Sequence, residues 1–214
     1  MQQIRKIAVI GGTGKSGQYL VRALLQKGFS IKLLLRNPEN LKIKHALIEV
    51  VPGNVKDYEC VRELLNGCQA VISTLGLGVP PSEPNIFSQA TTNVIRAMQE
   101  LGIRRYILTT GLNVDTPSDQ KSPKTQFGTD WMKTHYPAST ADKQIEYQLL
   151  TTSNLNWTLA RLPLIEQTDT RGEINISLED CSGGKISATD LAYFLIDQLT
   201  DQTYSGQAPF IANS

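Results

Sequence analysis

The sequence predicts an α/β fold, a mainly parallel sheet with helices packed on both faces. Two observations carry this. Short apolar runs alternate with helix-period segments along the 214 residues, the rhythm of strands buried under crossover helices. The first such unit, residues 4–36, also holds a glycine-rich turn between its strand and its helix. Right-handed crossovers then give a doubly wound sheet, with ligands beyond the carboxyl ends of its strands.

The elements follow in order. Ile4 to Ile10 reads as the first strand and feeds Gly11-Gly12-Thr13-Gly14-Lys15-Ser16-Gly17. A helix follows through Tyr19, Leu20, Ala23, Leu24 and Leu25. After Gly28 a second strand, Ile31 to Leu35, ends at Arg36, and Asn37 to Asn40 is a loop. Ile48 to Val51 is a third strand, broken by Pro52-Gly53-Asn54. Asp57 is the expected N-cap of a helix through Val61, Leu64 and Leu65, stopped by Asn66-Gly67. Ala70 to Thr74, a fourth strand, leads into the loop Leu75 to Pro81. A long helix, Phe87 to Leu101, stops at Gly102, and Arg104 to Thr109 is the fifth strand, leading into Thr110-Gly111.

Residues 112–138 break the rhythm. They are rich in Pro, Asp, Ser, Thr and Lys and carry Phe127, Trp131, His135 and Tyr136. They read as a long loop covering the substrate, because such loops are usually functional. Ala141 to Leu150 returns to a helix, with Ile145, Leu149 and Leu150 as its apolar residues. Trp157 to Arg161 is a sixth strand, and Glu173 to Leu178 alternates like an exposed one. Ser187 caps a last helix, Asp190 to Leu199, and Pro209 to Ala212 closes the sheet. Residues 1–214 read as one domain with a small C-terminal lobe on the substrate side.

Composition excludes several classes. The formal net charge is +1 and 19% of residues are charged, without a block of one sign. Neither a nucleic-acid surface nor a membrane partner is expected, and no apolar run reaches the ~18 residues of a membrane span. Met1-Gln2-Gln3-Ile4 enters the first strand at once, so the expected location is cytoplasmic. Cys60, Cys68 and Cys181 lack metal-ligand spacing and read as reduced thiols; no metal is expected.

Gly12, Gly14 and Gly17 fit G-x-G-x-x-G, placed between a strand and a helix. The first glycines permit the tight turn, Gly14 lets backbone N–H groups approach a pyrophosphate, and Gly17 lets the helix pack on the strand. Gly14-Lys15-Ser16 imitates the end of a triphosphate loop, but that motif needs glycine where this chain has Val9. Where sites for NAD carry an acidic residue, at the end of the second strand, stands Arg36. Its planar fork suits a 2′-phosphate, with Lys15 as a second cation, so the expected cofactor is NADP(H). Thr74 to Gly76 and Thr109 to Gly111 follow strands and should reach the same crevice.

These residues, together with Leu35-Arg36-Asn37-Pro38, Gly53-Asn54-Val55, Val71 to Gly76, Lys143 and Trp157 to Pro163, resemble the atypical short-chain dehydrogenase/reductases. More narrowly, they resemble the NAD(P)H-binding group that includes biliverdin-IXβ reductase/flavin reductase and the NmrA-like proteins. The resemblance implies that Gly11, Thr13, Gly14, Lys15, Ser16 and Gly17 hold the pyrophosphate and Arg36 the 2′-phosphate. It places Asn54, where the family usually has Asp, and Val55 beside adenine. Thr74, Leu75 and Gly76 would line the inner ribose and phosphate, Thr109 would be a further cofactor contact, Pro163, Leu164 and Ile165 would border the nicotinamide, and Thr110 would be the active-site hydroxyl. Lys143 would bond the nicotinamide ribose.

One departure bears on chemistry. The usual Tyr-x-x-x-Lys pair has Ser139 in place of tyrosine here. Reduction of a planar small-molecule acceptor such as a flavin, quinone or tetrapyrrole-like compound fits better than ketone reduction. The alternative is an NmrA-like NADP(H) sensor without turnover. A sugar epimerase would need the tyrosine and a larger C-terminal domain. The oligomeric state is left open between monomer and homodimer.

Overall fold

The computed structural model describes residues 4–78 and 83–214; Met1 to Gln3 and Val79 to Pro81 of the expected loop lie outside them. In chain order the elements are β1 (Lys6–Ile10), α1 (Gly17–Gln26), β2 (Ser30–Leu35), β3 (Ile48–Pro52), α2 (Tyr58–Leu65), β4 (Ala70–Ser73), α3 (Ile86–Leu101) and β5 (Arg105–Gly111). They continue with α4 (Pro123–His135), α5 (Pro137–Thr152), β6 (Asn156–Leu162), β7 (Leu164–Glu166), β8 (Ile174–Ser177), β9 (Lys185–Ser187), α6 (Ala188–Asp197) and β10 (Phe210–Asn213).

Eight strands form one sheet in the order β3-β2-β1-β4-β5-β6-β10-β8. Every pair is parallel except β8 against β10. The chain thus winds outward twice from β1, and the order reverses between β1 and β4, where such sheets open a crevice. Period-two alternation divides the core. Ile7 and Val9 of β1 face α1 and α6, whereas Ala8 and Ile10 face the side of α2, α3 and α5.

Several sequence signals act as expected. Asp57 caps α2 by accepting from Glu59 N (2.9 Å), and Gly102 ends α3 at φ 69°. Glu173 to Leu178 contains the edge strand β8. Three expectations need correction. The loop expected over 112–138 holds the thirteen-residue helix α4. Ser122 caps it by accepting from Thr125 N, and its buried residues are Thr125 and Thr129 rather than apolar side chains. Secondly, α5 starts at Pro137, so Lys143 lies in its second turn rather than at its start. Its buried residues are Ser139, Thr140, Asp142, Glu146 and Leu150, while Ile145 is exposed. Lastly, β7 and β9 pair in a small parallel sheet that periodicity did not announce.

The C-terminal lobe is tied together through a buried arginine. Arg161, fully buried on β6, donates to the carbonyls of Ala208 (2.7 Å), Val114 (3.2 Å) and Leu178 (3.0 Å) and to Asp119 Oδ1 (2.5 Å). Its guanidinium lies 3.5 Å from the centre of the Phe210 ring. Burial lowers its pKa and Asp119 opposes that fall. This is the partner a buried charge requires.

Candidate active site

The crevice begins at the glycine turn. Gly11 has φ 77°, and a β-carbon there would fall 2.6 Å from the Thr74 carbonyl oxygen. A β-carbon on Gly17 would land on the Gly11 carbonyl oxygen, so α1 can start against the turn only with glycine there. Thr74 braces the turn from β4: its N–H donates to Ile10 O (3.0 Å) and its hydroxyl to Gly11 O (3.3 Å). Thr13, Gly14 and Lys15 are exposed, and Ser16 is buried at the helix start. The Ser16 side chain does not cap α1, and no acidic residue occupies its first turn. Gln18 N and Tyr19 N already donate to Gly14 O (3.2 Å) and Ser16 O (3.1 Å), so an anion here would meet the N–H groups that precede them.

Register carries Arg36 to the same place. Ile10 pairs with Leu34, so Arg36, exposed just past the end of β2, lies at the same carboxyl edge of the sheet as the glycine turn. Asn54 is exposed after β3, and its side-chain carbonyl accepts from Lys56 N (3.1 Å) in a local turn. Val55 is buried, and its carbonyl accepts from Asn93 Nδ2 (3.0 Å). Leu75 and Gly76 follow β4 beside the glycine turn.

Across the crevice, β5 and β6 end together: Thr109 pairs with Ala160, Thr110 with Arg161 and Gly111 with Leu162. Pro163 continues from there, half-buried. The Thr110 hydroxyl is buried without a hydrogen-bond partner among the described residues. Lys143 reaches this end from α5. A side chain on Gly111 would put its β-carbon 3.8 Å from Lys143 Nζ and onto Asn113 Oδ1. The ammonium lies 4.9 Å from the centre of the Phe87 ring, and burial lowers its pKa. Ser139, one turn earlier, points a buried hydroxyl that also lacks a partner. No tyrosine replaces it: Tyr147 packs edge-on against Trp157, and Tyr136 lies exposed at the junction of α4 and α5. His135 stacks on Trp131 with centroids 4.4 Å apart and bonds the Trp131 carbonyl.

Sequence reasoning missed Asn113, Asp142 and Glu146. Asn113 Nδ2 donates to Thr140 Oγ1 (3.1 Å), whereas its Oδ1 is buried without a partner. Asp142 Oδ2 accepts from Phe87 N (2.8 Å) and Ser88 N (3.2 Å), capping α3 from a neighbouring helix. Glu146 is buried, and burial pushes its carboxyl up to about 7 against the opposing effects of the Thr91 hydroxyl and Lys143. For Asp142 and Glu146 the available signal was a three-residue spacing from Ser139 and from Lys143; nothing comparable marked Asn113.

Four large apolar side chains on α4 and β7 are exposed. Phe127 and Trp131 lie one turn apart on α4, and Leu164 and Ile165 on β7; all four are exposed, Leu164 to 77%. Thr125 Oγ1 donates to Cys181 O (3.3 Å) and Thr129 Oγ1 to Leu112 O (3.0 Å), holding α4 over the ends of β5 and β6. Behind the glycine turn, Arg22 pairs with Asp169, tying the segment after β7 onto α1. Burial raises the Cys68 thiol to about 11 and also raises that of Cys181, disfavouring a thiolate at either. Among the described residues no cluster suits a metal ion, and no helix is long and apolar enough to cross a membrane.

A parallel sheet with its glycine turn at the switch point defines a Rossmann-type dinucleotide-binding protein. More narrowly, residues 11–202 match the family described as NAD(P)H-binding, and the chain belongs to that family. Curated relatives include isoflavone reductase homolog P3 of Arabidopsis thaliana, 31% identical over 57% of this chain and 40% of the relative. Cinnamoyl-CoA reductase 1 of Petunia hybrida is 27% identical over 56% and 39%. The chain thus matches about two-fifths of the length of these relatives. Among solved structures, a short-chain dehydrogenase/reductase of Veillonella parvula in complex with NADP shares the fold at TM-score 0.79. It is 17% identical, with 99% of this chain and 95% of that one covered. An anaerobillin reductase of Escherichia coli O157:H7 shares the fold at TM-score 0.80, 18% identity and 97% coverage of both chains.

Proposed function

We propose that this chain is an NADPH-dependent reductase of a planar small-molecule acceptor, working without a tyrosine–lysine pair. The observation that carries the reading is Ser139, a short buried hydroxyl one turn before Lys143 where a phenol would otherwise deliver a proton to a ketone oxygen. An acceptor whose reduced form spreads its charge does not need that phenol.

The residues divide the work. The turn from Gly11 to Gly17 and the first turn of α1 hold the pyrophosphate, and Arg36 holds the 2′-phosphate. Asn54 and Val55 flank adenine; Thr74, Leu75 and Gly76 line the inner ribose. Thr109 and Pro163 border the nicotinamide, which when bound supplies the hydride. Thr110 and Lys143 face the acceptor, and Leu164 and Ile165, just past Pro163, cover one of its flat faces and exclude water. A tetrapyrrole-like acceptor gains support from the similar fold of the anaerobillin reductase. Flavins and quinones satisfy the same chemistry.

The test is NADPH oxidation against a panel of FMN, FAD, quinones and linear tetrapyrroles. At least one should turn over. Tight NADPH binding with no turnover across the panel would favour a nucleotide sensor instead.

A further inference from the structure

A lysine drawn out of water normally finds a carboxylate. Lys143, half-buried, finds a ring instead. Its Nζ lies over the Phe87 ring, 4.9 Å from the centre, within the ~6 Å at which an ammonium is drawn to an aromatic face. Among the described residues none hydrogen-bonds this nitrogen or pairs with it as an ion; Glu146 acts on it by charge alone. The point that a Gly111 β-carbon would occupy is 3.8 Å from the same nitrogen, so the ammonium stands at the carboxyl end of β5. Phe87 is held there from outside its own helix. It lies buried in the first turn of α3, where Asn85 makes no capping hydrogen bond and no acidic residue occurs. Asp142 supplies both needs: its Oδ2 accepts from Phe87 N (2.8 Å) and Ser88 N (3.2 Å), and its charge meets the positive end of the helix. Asp142 and Lys143 are consecutive on α5. One fixes the backbone that carries the ring, and the next lays its ammonium against that ring.

We propose that Phe87 is a positioning residue, whose ring seats the Lys143 ammonium at the end of β5 and leaves its N–H groups to the ligand. The inference rests on the reductase reading above, which puts Lys143 at the acceptor. A carboxylate in the place of the ring would take up those N–H groups and cancel the charge. A ring face attracts the charge but carries none of its own, and it offers no oxygen to accept the N–H groups. An acceptor oxygen that carries or gains negative charge then meets a full positive charge already aimed at it. Phe87, 1% exposed, acts only through Lys143.

The titratable groups beside Lys143 are Asp142 and Glu146, both on α5; Ile86 to Gln89 of α3 and Thr109 to Gly111 of β5 bring none. Changing the ring alone therefore leaves every neighbouring charge in place. Draining electron density from the ring weakens its negative face, which favours the neutral amine and lowers the pKa of Lys143.

The experiment replaces Phe87 by phenylalanines carrying one, two and three ring fluorines, which keep the shape of the ring, and compares them with wild type and Phe87→Leu. Lysine labelled at Cε reports each titration by NMR, and the signal missing from Lys143→Arg assigns Lys143. Its pKa should fall stepwise along the fluorinated series, by about half a pH unit or more at three fluorines. Phe87→Leu should lower it at least as far. With NADPH and the best acceptor from the panel, the alkaline limit of kcat/KM should move down by the same amount. A ring that only fills space would leave the titration unchanged across the fluorinated proteins, and that result overturns the seat even if Phe87→Leu does not fold. A limit that stays in place while the titration moves overturns the positioning role. If the titration follows the series but the wild type oxidises NADPH with no acceptor, the seat stands and the reductase reading falls.

Discussion

The two sides of the crevice are made of different material. On the β1–β3 side the site is backbone: a turn closed by Gly11, braced by Thr74 and opening onto the first N–H groups of α1. On the β5–β6 side it is side chains: Thr110, Asn113, Ser139 and Glu146, buried and each with a polar atom without a partner, and half-buried Lys143 beside them. Backbone geometry suits a ligand part that is constant, such as a pyrophosphate. Buried, underused side chains are costly to maintain and belong where charge is created and moved. Five of the seven buried, unpartnered side-chain atoms among the described residues lie on that side, where chemistry is expected.

The largest effect should come from the lobe. Arg161→Met removes the fully buried member of an ion pair and leaves the carbonyls of Ala208, Val114 and Leu178 without their donor, which should cost about 3–5 kcal/mol of stability. Hydrogen exchange should show β8, β10 and residues 112–119 losing protection before β1 to β3 do. Uniform loss across the sheet would show that the two sides are not separable. Next comes Gly17→Ala, whose β-carbon would land on the Gly11 carbonyl oxygen. NADPH affinity by fluorescence titration should fall at least a hundredfold, about 2.7 kcal/mol. A loss under threefold would remove the backbone account of that side.

Glu146 gives a pH-dependent effect. Its carboxyl, raised from 4.5 to about 7 in the folded chain, contributes stability that is fully present below about pH 4.5 and is lost as pH rises through 7. Thermal or urea unfolding should show the protein losing on the order of 2 kcal/mol between pH 5 and pH 8. Glu146→Gln should flatten that slope, and an equal slope in the variant would contradict the buried acid. Smallest is Arg36→Ala. It should weaken NADPH about tenfold, near 1.4 kcal/mol, and leave NADH unchanged, so that the wild-type preference for NADPH collapses. Equal wild-type affinities for the two nucleotides would remove Arg36 from the site.

The same contrast decides what could be read in the sequence. Gly11 to Gly17, the Asp57 cap and the Gly102 stop are local signals, because the residue type itself answers a backbone demand. Alternation of apolar runs carried the strands themselves, though not their order in the sheet, as far as β6. The substrate side gave no such signals. α4 turns threonines rather than leucines toward the body, so it has no apolar stripe to find; Ser122-Pro123 at its start was the one usable cue. α5 misled more directly. Ile145 looked like a core residue and is exposed, while Asp142 and Glu146 look like surface residues and are buried. Their burial depends on α3 and β5, which no local pattern encodes.

Strand order has a consequence for how the molecule is assembled as it is synthesised. β10, residues 210–213, lies between β6 and β8, and Phe210 pairs with Arg161 on one side and Ser177 on the other. Residues 174–177 therefore have no neighbour to join until the chain has been extended almost forty residues further. The β1-to-β5 portion has its whole set of partners long before that point. The nucleotide cradle can form while the chain is still growing, and the acceptor side must wait for its last strand.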